Sequence, residues 1–91
     1  MRLQWTRAAV SDLTRLHDFL KPVNENAATR VVQMLTAAPR RLLQYPRIGE
    51  RLDEFAPREV RRIIVGHHEL RYELAGEVIH VLRIWHTREE R

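Results

Sequence analysis

The sequence predicts an α+β fold in which a hairpin of two helices is set against a small sheet. Two observations predict it. Apolar side chains recur at helical spacing in two blocks, before and after Lys21-Pro22. From Arg61 onward, apolar and polar residues alternate in three short runs separated by glycine-containing turns. The first pattern is the mark of amphipathic helices and the second of half-buried strands. With 91 residues the chain makes one domain, residues 1–91.

Leu3 and Trp5 alternate with Arg2 and Gln4, which suits a short first strand. Thr6 is placed to cap the helix that follows. Val10, Leu13, Leu16, His17 and Leu20 mark the apolar stripe of that helix, which ends near Leu20 before Lys21-Pro22. Asp12 lies near its start, where a negative charge favours the helix dipole. A second helix begins at Val23 or Asn24, with Ala27, Ala28, Val31, Met34, Leu35 and Ala38 as its stripe. Pro39 has no amide hydrogen, so the helix kinks there or restarts with proline in a first turn. Leu42 and Leu43 continue the burial, and Tyr45-Pro46 and Gly49 close the segment.

Glu50 to Glu59 reads as a polar surface loop anchored by Leu52 and Phe55. Strands are expected at about 61–65, 69–74 and 77–85, with Gly66-His67-His68 and Ala75-Gly76 as the turns. In the second of these strands Leu70, Tyr72 and Leu74 share one face, and Glu69, Arg71 and Glu73 the other. In the third, Val78, His80, Leu82 and Ile84 alternate with Ile79, Val81, Arg83 and Trp85. That strand is apolar on nearly both faces, which places it at the sheet centre with the first strand beside it.

Composition narrows the function classes. There is no cysteine, so disulfides and thiolate metal sites are excluded. No signal-peptide run opens the chain and no apolar stretch approaches a membrane span, so a cytoplasmic protein with no membrane partner is expected. The net charge is +4, and of sixteen basic residues only Lys21 is lysine. Guanidinium forks match carboxylates and phosphates. An acidic protein or a nucleic acid is the expected partner, although arginine-rich codon usage gives the same lysine-to-arginine ratio.

Arg83, Trp85, His86 and Arg88 cluster at the end of the last strand, with Arg61, Arg62 and Arg71 on neighbouring strands. Such a set can hold phosphate, stack a base and move a proton at His86. The structural alternative packs Trp85 on the helices and pairs Arg83 with Glu69 or Glu73. His67-His68 reads as a turn pair, because adjacent strand residues point to opposite faces and cannot easily share one ion. No metal and no cofactor is expected. Arg88-Glu89-Glu90-Arg91 reads as a frayed tail.

The order strand, helix hairpin, loop and three strands resembles the RelE/ParE superfamily of bacterial type II toxins. So do Leu42-Leu43-Gln44-Tyr45-Pro46-Arg47-Ile48-Gly49 and the closing Val81-Leu82-Arg83-Ile84-Trp85-His86-Thr87-Arg88. The resemblance implies a β-α-α-β-β-β sandwich with the hairpin on one face of a twisted antiparallel sheet. It also implies a toxin neutralised by a cognate antitoxin of ParD/RelB type. RelE-like members are ribosome-dependent, metal-independent mRNA endonucleases, whereas ParE-like members inhibit DNA gyrase without cutting. This chain has almost no lysine, no tyrosine near its C-terminus, and Glu69 where YoeB-like nucleases carry arginine. The expectation is therefore a ParE-like toxin. Its target surface is placed at Arg61, Arg71, Arg83, Trp85, His86 and Arg88, and its antitoxin groove at Leu13, Leu16 and Leu20. The alternative is an mRNA interferase acting on the ribosome with mRNA. There Arg62, Arg71 and Arg83 hold phosphate, and His86 or Glu54 moves protons. A third reading is a degenerate member kept only to bind an antitoxin.

Overall fold

The chain is described by a computed structural model over residues 1–89. Its strands are β1 (Arg2–Trp5), β2 (Glu50–Arg51), β3 (Glu59–Val65), β4 (His68–Ala75) and β5 (Val78–His86). The helices α1 (Arg7–Leu20) and α2 (Glu25–Ala37) lie between β1 and β2, and 3-10 turns span Ala38–Leu43 and Asp53–Phe55. The sheet order is β1-β5-β4-β3-β2. β1 runs parallel to β5 and the other three pairings are antiparallel, so the sheet is mixed at one edge. A parallel pair needs a long connection, and here nearly the whole chain supplies it. The middle strand is β4 rather than β5, and the loop expected at 50–59 contributes the two-residue edge strand β2.

Both helices start as the sequence dictates. The Thr6 hydroxyl accepts from the Ala9 amide at 3.1 Å and donates to the Leu82 carbonyl at 2.9 Å, so one cap also ties α1 to β5. Asn24 caps α2 through the Ala27 amide at 3.0 Å. Pro39 opens the 3-10 turn, where its missing amide hydrogen costs nothing.

The core sits between the hairpin and one face of the sheet. Ala9, Leu16, Leu35, Leu42, Leu70, Tyr72, Leu74, Ile79, Val81 and Ile84 form it, with Leu3, Trp5, Leu13 and Val31 packed on it. Burial on α1 falls on Ala9, Asp12 and Leu16, whereas Val10 is exposed. The expected stripe is thus rotated by one residue, because the inward position is held by a carboxylate that reads as polar.

Gly49 shows why the Pro46–Gly49 corner needs its glycine. A Cβ there would lie 2.7 Å from both the Arg62 carbonyl oxygen and the Tyr72 hydroxyl. The buried Tyr72 hydroxyl accepts from the Gly49 amide at 3.0 Å and donates to the Pro46 carbonyl at 2.7 Å. Gly66 and Gly76 have φ of 61° and 60°, and no other described residue has positive φ. A glycine at the first central position alone fits a II′ hairpin. The turns therefore centre on Gly66-His67 and Gly76-Glu77, and His68 belongs to β4.

One irregularity sets the functional geometry. Tyr72 pairs with Val81 but Arg71 pairs with Arg83, so Leu82 is an extra residue in β5. This β-bulge reverses the alternation. Before it, Ile79 and Val81 face the helices; after it, Ile84 does. Arg83 and Trp85 consequently lie on the register positions opposite Arg71 and Glu69, on the sheet face away from the core.

Candidate functional site

The open face of the sheet is built around Glu69 and Arg71. Alternation along β4 sends both away from Leu70 and Tyr72. Glu69 is buried and accepts from Arg62 at 3.2 Å and Arg71 at 3.1 Å. Arg62 also bonds Glu50 on β2 at 3.0 Å, and Glu50 and Glu69 together raise its guanidinium pKa. The Arg71 guanidinium lies 4.7 Å from the Trp85 ring centroid and 5.3 Å from that of Phe55. Phe55 reaches it because the Asp53–Phe55 turn folds the predicted surface loop over the open face. Two rings and a carboxylate thus fix Arg71 as a flat, desolvated cation.

Arg83 completes this face from β5, with its guanidinium 5.1 Å from the Trp85 ring. Its partner is neither Glu69 nor Glu73 but Asp12. The ladder between β1 and β5 ends at Trp5–Val81, so beyond it β5 has no strand on that edge, while β4 continues on the other. Asp12 fills that gap. It accepts from the Ile84 amide at 2.8 Å, from Arg83 Nε at 2.8 Å and Nη2 at 3.1 Å, and from Arg15 at 3.1 Å. Burial pushes the Asp12 carboxyl pKa up, but the bonds from Arg83, Ile84 and Arg15 outweigh it and hold the group below its ordinary value. Asp12 is therefore a buried hub rather than a dipole charge.

Arg15 fastens the chain end to the same hub. It donates to the Ile84 carbonyl at 3.0 Å and pairs with Glu89. Glu89 also accepts from the His86 amide at 2.8 Å. The expected frayed tail is instead folded back through Glu89, while Glu90 and Arg91 lie outside the described residues.

The predicted site residues separate into three places. Arg62, Arg71, Arg83 and Trp85 share the open face. Arg61 does not: its register partner is Tyr72, and it bonds Glu59 at 2.9 Å and the Gly49 carbonyl at 2.7 Å, a brace for the edge of the sheet. His86 follows the bulge to the helix side, where it meets His68 and lines a groove of about 430 Å³ with Leu16, Leu20 and Arg88. Glu54 is exposed on its turn. The sheet therefore divides the expected Arg83–Trp85–His86 cluster, because an adjacent pair on a strand points to opposite faces.

The three leucines expected to form an antitoxin groove sit differently with respect to this one. Leu16 is its buried floor, Leu20 a wall, and Leu13 packs on the core outside it. Phe19 and Val23, which the sequence reading did not single out, are 79% and 85% exposed. Large apolar side chains left this open at a helix end point to a partner. Their misfit to the helical stripe was the available signal.

Comparison with known proteins adds the lineage. A family model described as the ParE toxin of the type II toxin–antitoxin system parDE matches residues 3–91. The chain is 34% identical over 83 residues to Toxin RelE2 of Caulobacter vibrioides, covering 91% of each. It superposes on the solved structure described as the chromosomal ParDE TA system from P. aeruginosa with a TM-score of 0.78. That match has 26% identity and covers 92% of each chain.

Proposed function

The chain belongs to the ParE toxin family of type II toxin–antitoxin systems, and from that premise we propose that it arrests growth by binding and inhibiting DNA gyrase rather than by cutting RNA. The observation that carries the reading is that Arg62, Arg71 and Arg83, the arginines of the open face described above, are each already held by carboxylates. Arg62 and Arg71 are set against Glu50 and Glu69, and Arg83 and Arg15 against Asp12 and Glu89. A nuclease must meet the charge that develops on a scissile phosphate with uncompensated donors. These guanidinium groups already face carboxylates, and a buried Glu69 beneath them repels an incoming phosphate. His86, the expected proton carrier, lies across the sheet from Arg71. What the face offers instead is a rigid platform of Trp85, Phe55 and held guanidinium planes, the residue types that dominate protein–protein anchors.

Neutralisation follows from the other side. A cognate antitoxin lays an amphipathic helix over Phe19, Leu20 and Val23, and its extended remainder adds a strand to β3 beyond Arg62, where β2 ends and Ile64 stands exposed. The site of action is the cytoplasm. No helix among the described residues is long and apolar enough to cross a membrane.

Two assays run with the purified chain decide the target. Gyrase supercoiling is expected to stall, with mRNA intact in a translating-ribosome mixture. Cleavage of mRNA in the ribosomal A site with supercoiling untouched overturns the proposal in favour of the interferase. Trp85→Ala is the matched variant: inhibition is expected to fall at least about tenfold, as for an interface anchor worth more than 1.4 kcal/mol. Arg83→Glu is a poor probe, because it sets a carboxylate against Asp12 and attacks the fold.

A further inference from the structure

The far end of the sheet carries a feature that target binding does not use. His68 and His86 are register partners at the last rung of the β4–β5 ladder, with ring centroids 5.2 Å apart. The His67 ring stacks on His86 at 6.2 Å. His68 is 4% exposed, and its Nδ1 is buried without a hydrogen-bond partner. The Thr87 amide donates to the His67 carbonyl at 2.9 Å, and the Arg88 amide donates to His86 Nδ1 at 3.1 Å. Three imidazoles therefore sit under the turn that closes the chain against α1.

We propose that this histidine cluster is an acid-sensitive latch: protonation of His68 releases the rung to His86 and the Thr87–Glu89 turn, and so opens the groove along α1. The neutral ring suits its buried place, whereas a charged one does not. The charged and titratable groups around it are His86 on β5, His67 in the hairpin turn, Arg88 and Glu89 in the closing turn, and Arg15 on α1 across the groove. Burial lowers the His68 pKa first and repulsion from His86 second. The Glu89 carboxylate pulls the other way, His67 lowers it further, and the Val65 carbonyl raises it a little. The balance lies below the ordinary imidazole value.

The sign follows from linkage. A histidine whose folded pKa is depressed binds its proton more readily in the opened state. Closure is therefore complete above the ordinary value and weakens as pH falls below it. One pH unit below about 6.5, the opened form gains up to about tenfold over the closed one, the most that a single proton can supply there. Opening leaves His68, His86, Arg88 and an Arg15 freed of Glu89 facing one groove. Mild acid thus turns an apolar slot into a cationic one, suited to an acidic segment.

The test is amide exchange on the purified full chain between pH 7.5 and 5.5, read as protection factors so that intrinsic exchange cancels. The Thr87 and His86 amides are expected to lose up to about tenfold protection on acidification. Tyr72 and Val81 should change much less. In His68→Gln the Thr87 loss should vanish. His86→Gln retains His68 but removes its nearest like charge, so the loss should shrink without disappearing. The His68 ring, followed by NMR, should titrate below the ordinary imidazole value. Constant Thr87 protection, an unchanged slope in His68→Gln, or an equal fall at Tyr72 and Val81 would each overturn the latch. The last result would mean that the whole fold responds rather than its end. If His68→Gln does not fold, His86→Gln and the wild-type ring titration still decide.

Discussion

The two faces of the sheet solve opposite problems with the same strands. The helix face is held by Leu70, Ile79, Val81 and Ile84 against Leu16, Leu35 and Leu42, contacts that other apolar side chains of the right volume would serve, with the Tyr72 hydroxyl as its one specific polar tie. The open face is held by Glu69, Arg62, Arg71, Phe55 and Trp85, where each group needs a particular partner at a particular angle. The first kind of contact makes a fold and is tolerant. The second presents a chemical surface and is not. A single bulge at Leu82 moves Arg83 and Trp85 from the first face to the second.

The largest break in this contrast comes from the helix face. Tyr72→Ala removes a fully buried ring and leaves the Gly49 amide and Pro46 carbonyl without their partner. The expected loss is about 3–5 kcal/mol. A domain of this size has a total stability on the order of 5–14 kcal/mol. Urea unfolding should show the midpoint collapsing. A loss under about 1 kcal/mol would mean that Tyr72 is not the keystone of the Pro46–Gly49 corner.

Asp12 joins the two faces, and its effect should be the next largest. Asp12→Ala is expected to cost about 2–3 kcal/mol, less than a fully buried ion pair because Arg83 is half exposed and can be hydrated. The pH dependence has a definite sign. The carboxyl is held below its ordinary value of about 3.8, so its contribution is complete above that value and fades as pH falls below it. Wild type should lose stability there, and Asp12→Asn should lose it less steeply, because Glu59, Glu73 and Glu89, which arginines also hold low, still titrate in both. Parallel acid curves for the two would remove Asp12 from its place as the hub.

Much of this was legible in the residues. Thr6, Asn24, the two turn glycines and the alternation of β4 fixed the elements, because caps, positive φ and period-two patterns are local physics. Three things were not local. Asp12 reads as a surface charge until the end of β1 leaves the Ile84 amide in need of an acceptor. The bulge at Leu82 has no sequence mark, yet it decides the facing of Arg83, Trp85 and His86. Phe55 sits in a polar run and gains its meaning only when its turn lies over Arg71.

Glu69→Gln tests the open face directly and more gently. The amide keeps the shape and loses the charge, so a stability change of about 1–2 kcal/mol is expected. The more telling consequence is electrostatic. With Glu69 neutral, Arg71 loses its carboxylate and Arg62 keeps only Glu50, so the face gains one uncompensated positive charge, and salt-sensitive binding of single-stranded RNA should rise above that of the parent. If the parent already binds RNA as tightly as the variant, Glu69 does not guard this face, and the case against an interferase weakens.

Phe19→Ser should have the smallest effect on the fold, because the ring covers almost nothing in the chain itself. Its stability is expected to stay within about 0.5 kcal/mol, which thermal melting can check. The effect belongs to the partner. A ring of this size, left in water beside Leu20 and Val23, loses little when it is removed from the isolated chain and much when it is removed from an interface. A neutralising peptide from the neighbouring antitoxin should therefore bind at least about tenfold more weakly, a difference of 1.4 kcal/mol that calorimetry resolves. Unchanged affinity would move the antitoxin off α1 and leave the β3 edge to carry it. The contrast between faces would then narrow, because recognition as well as toxicity would rest on the sheet.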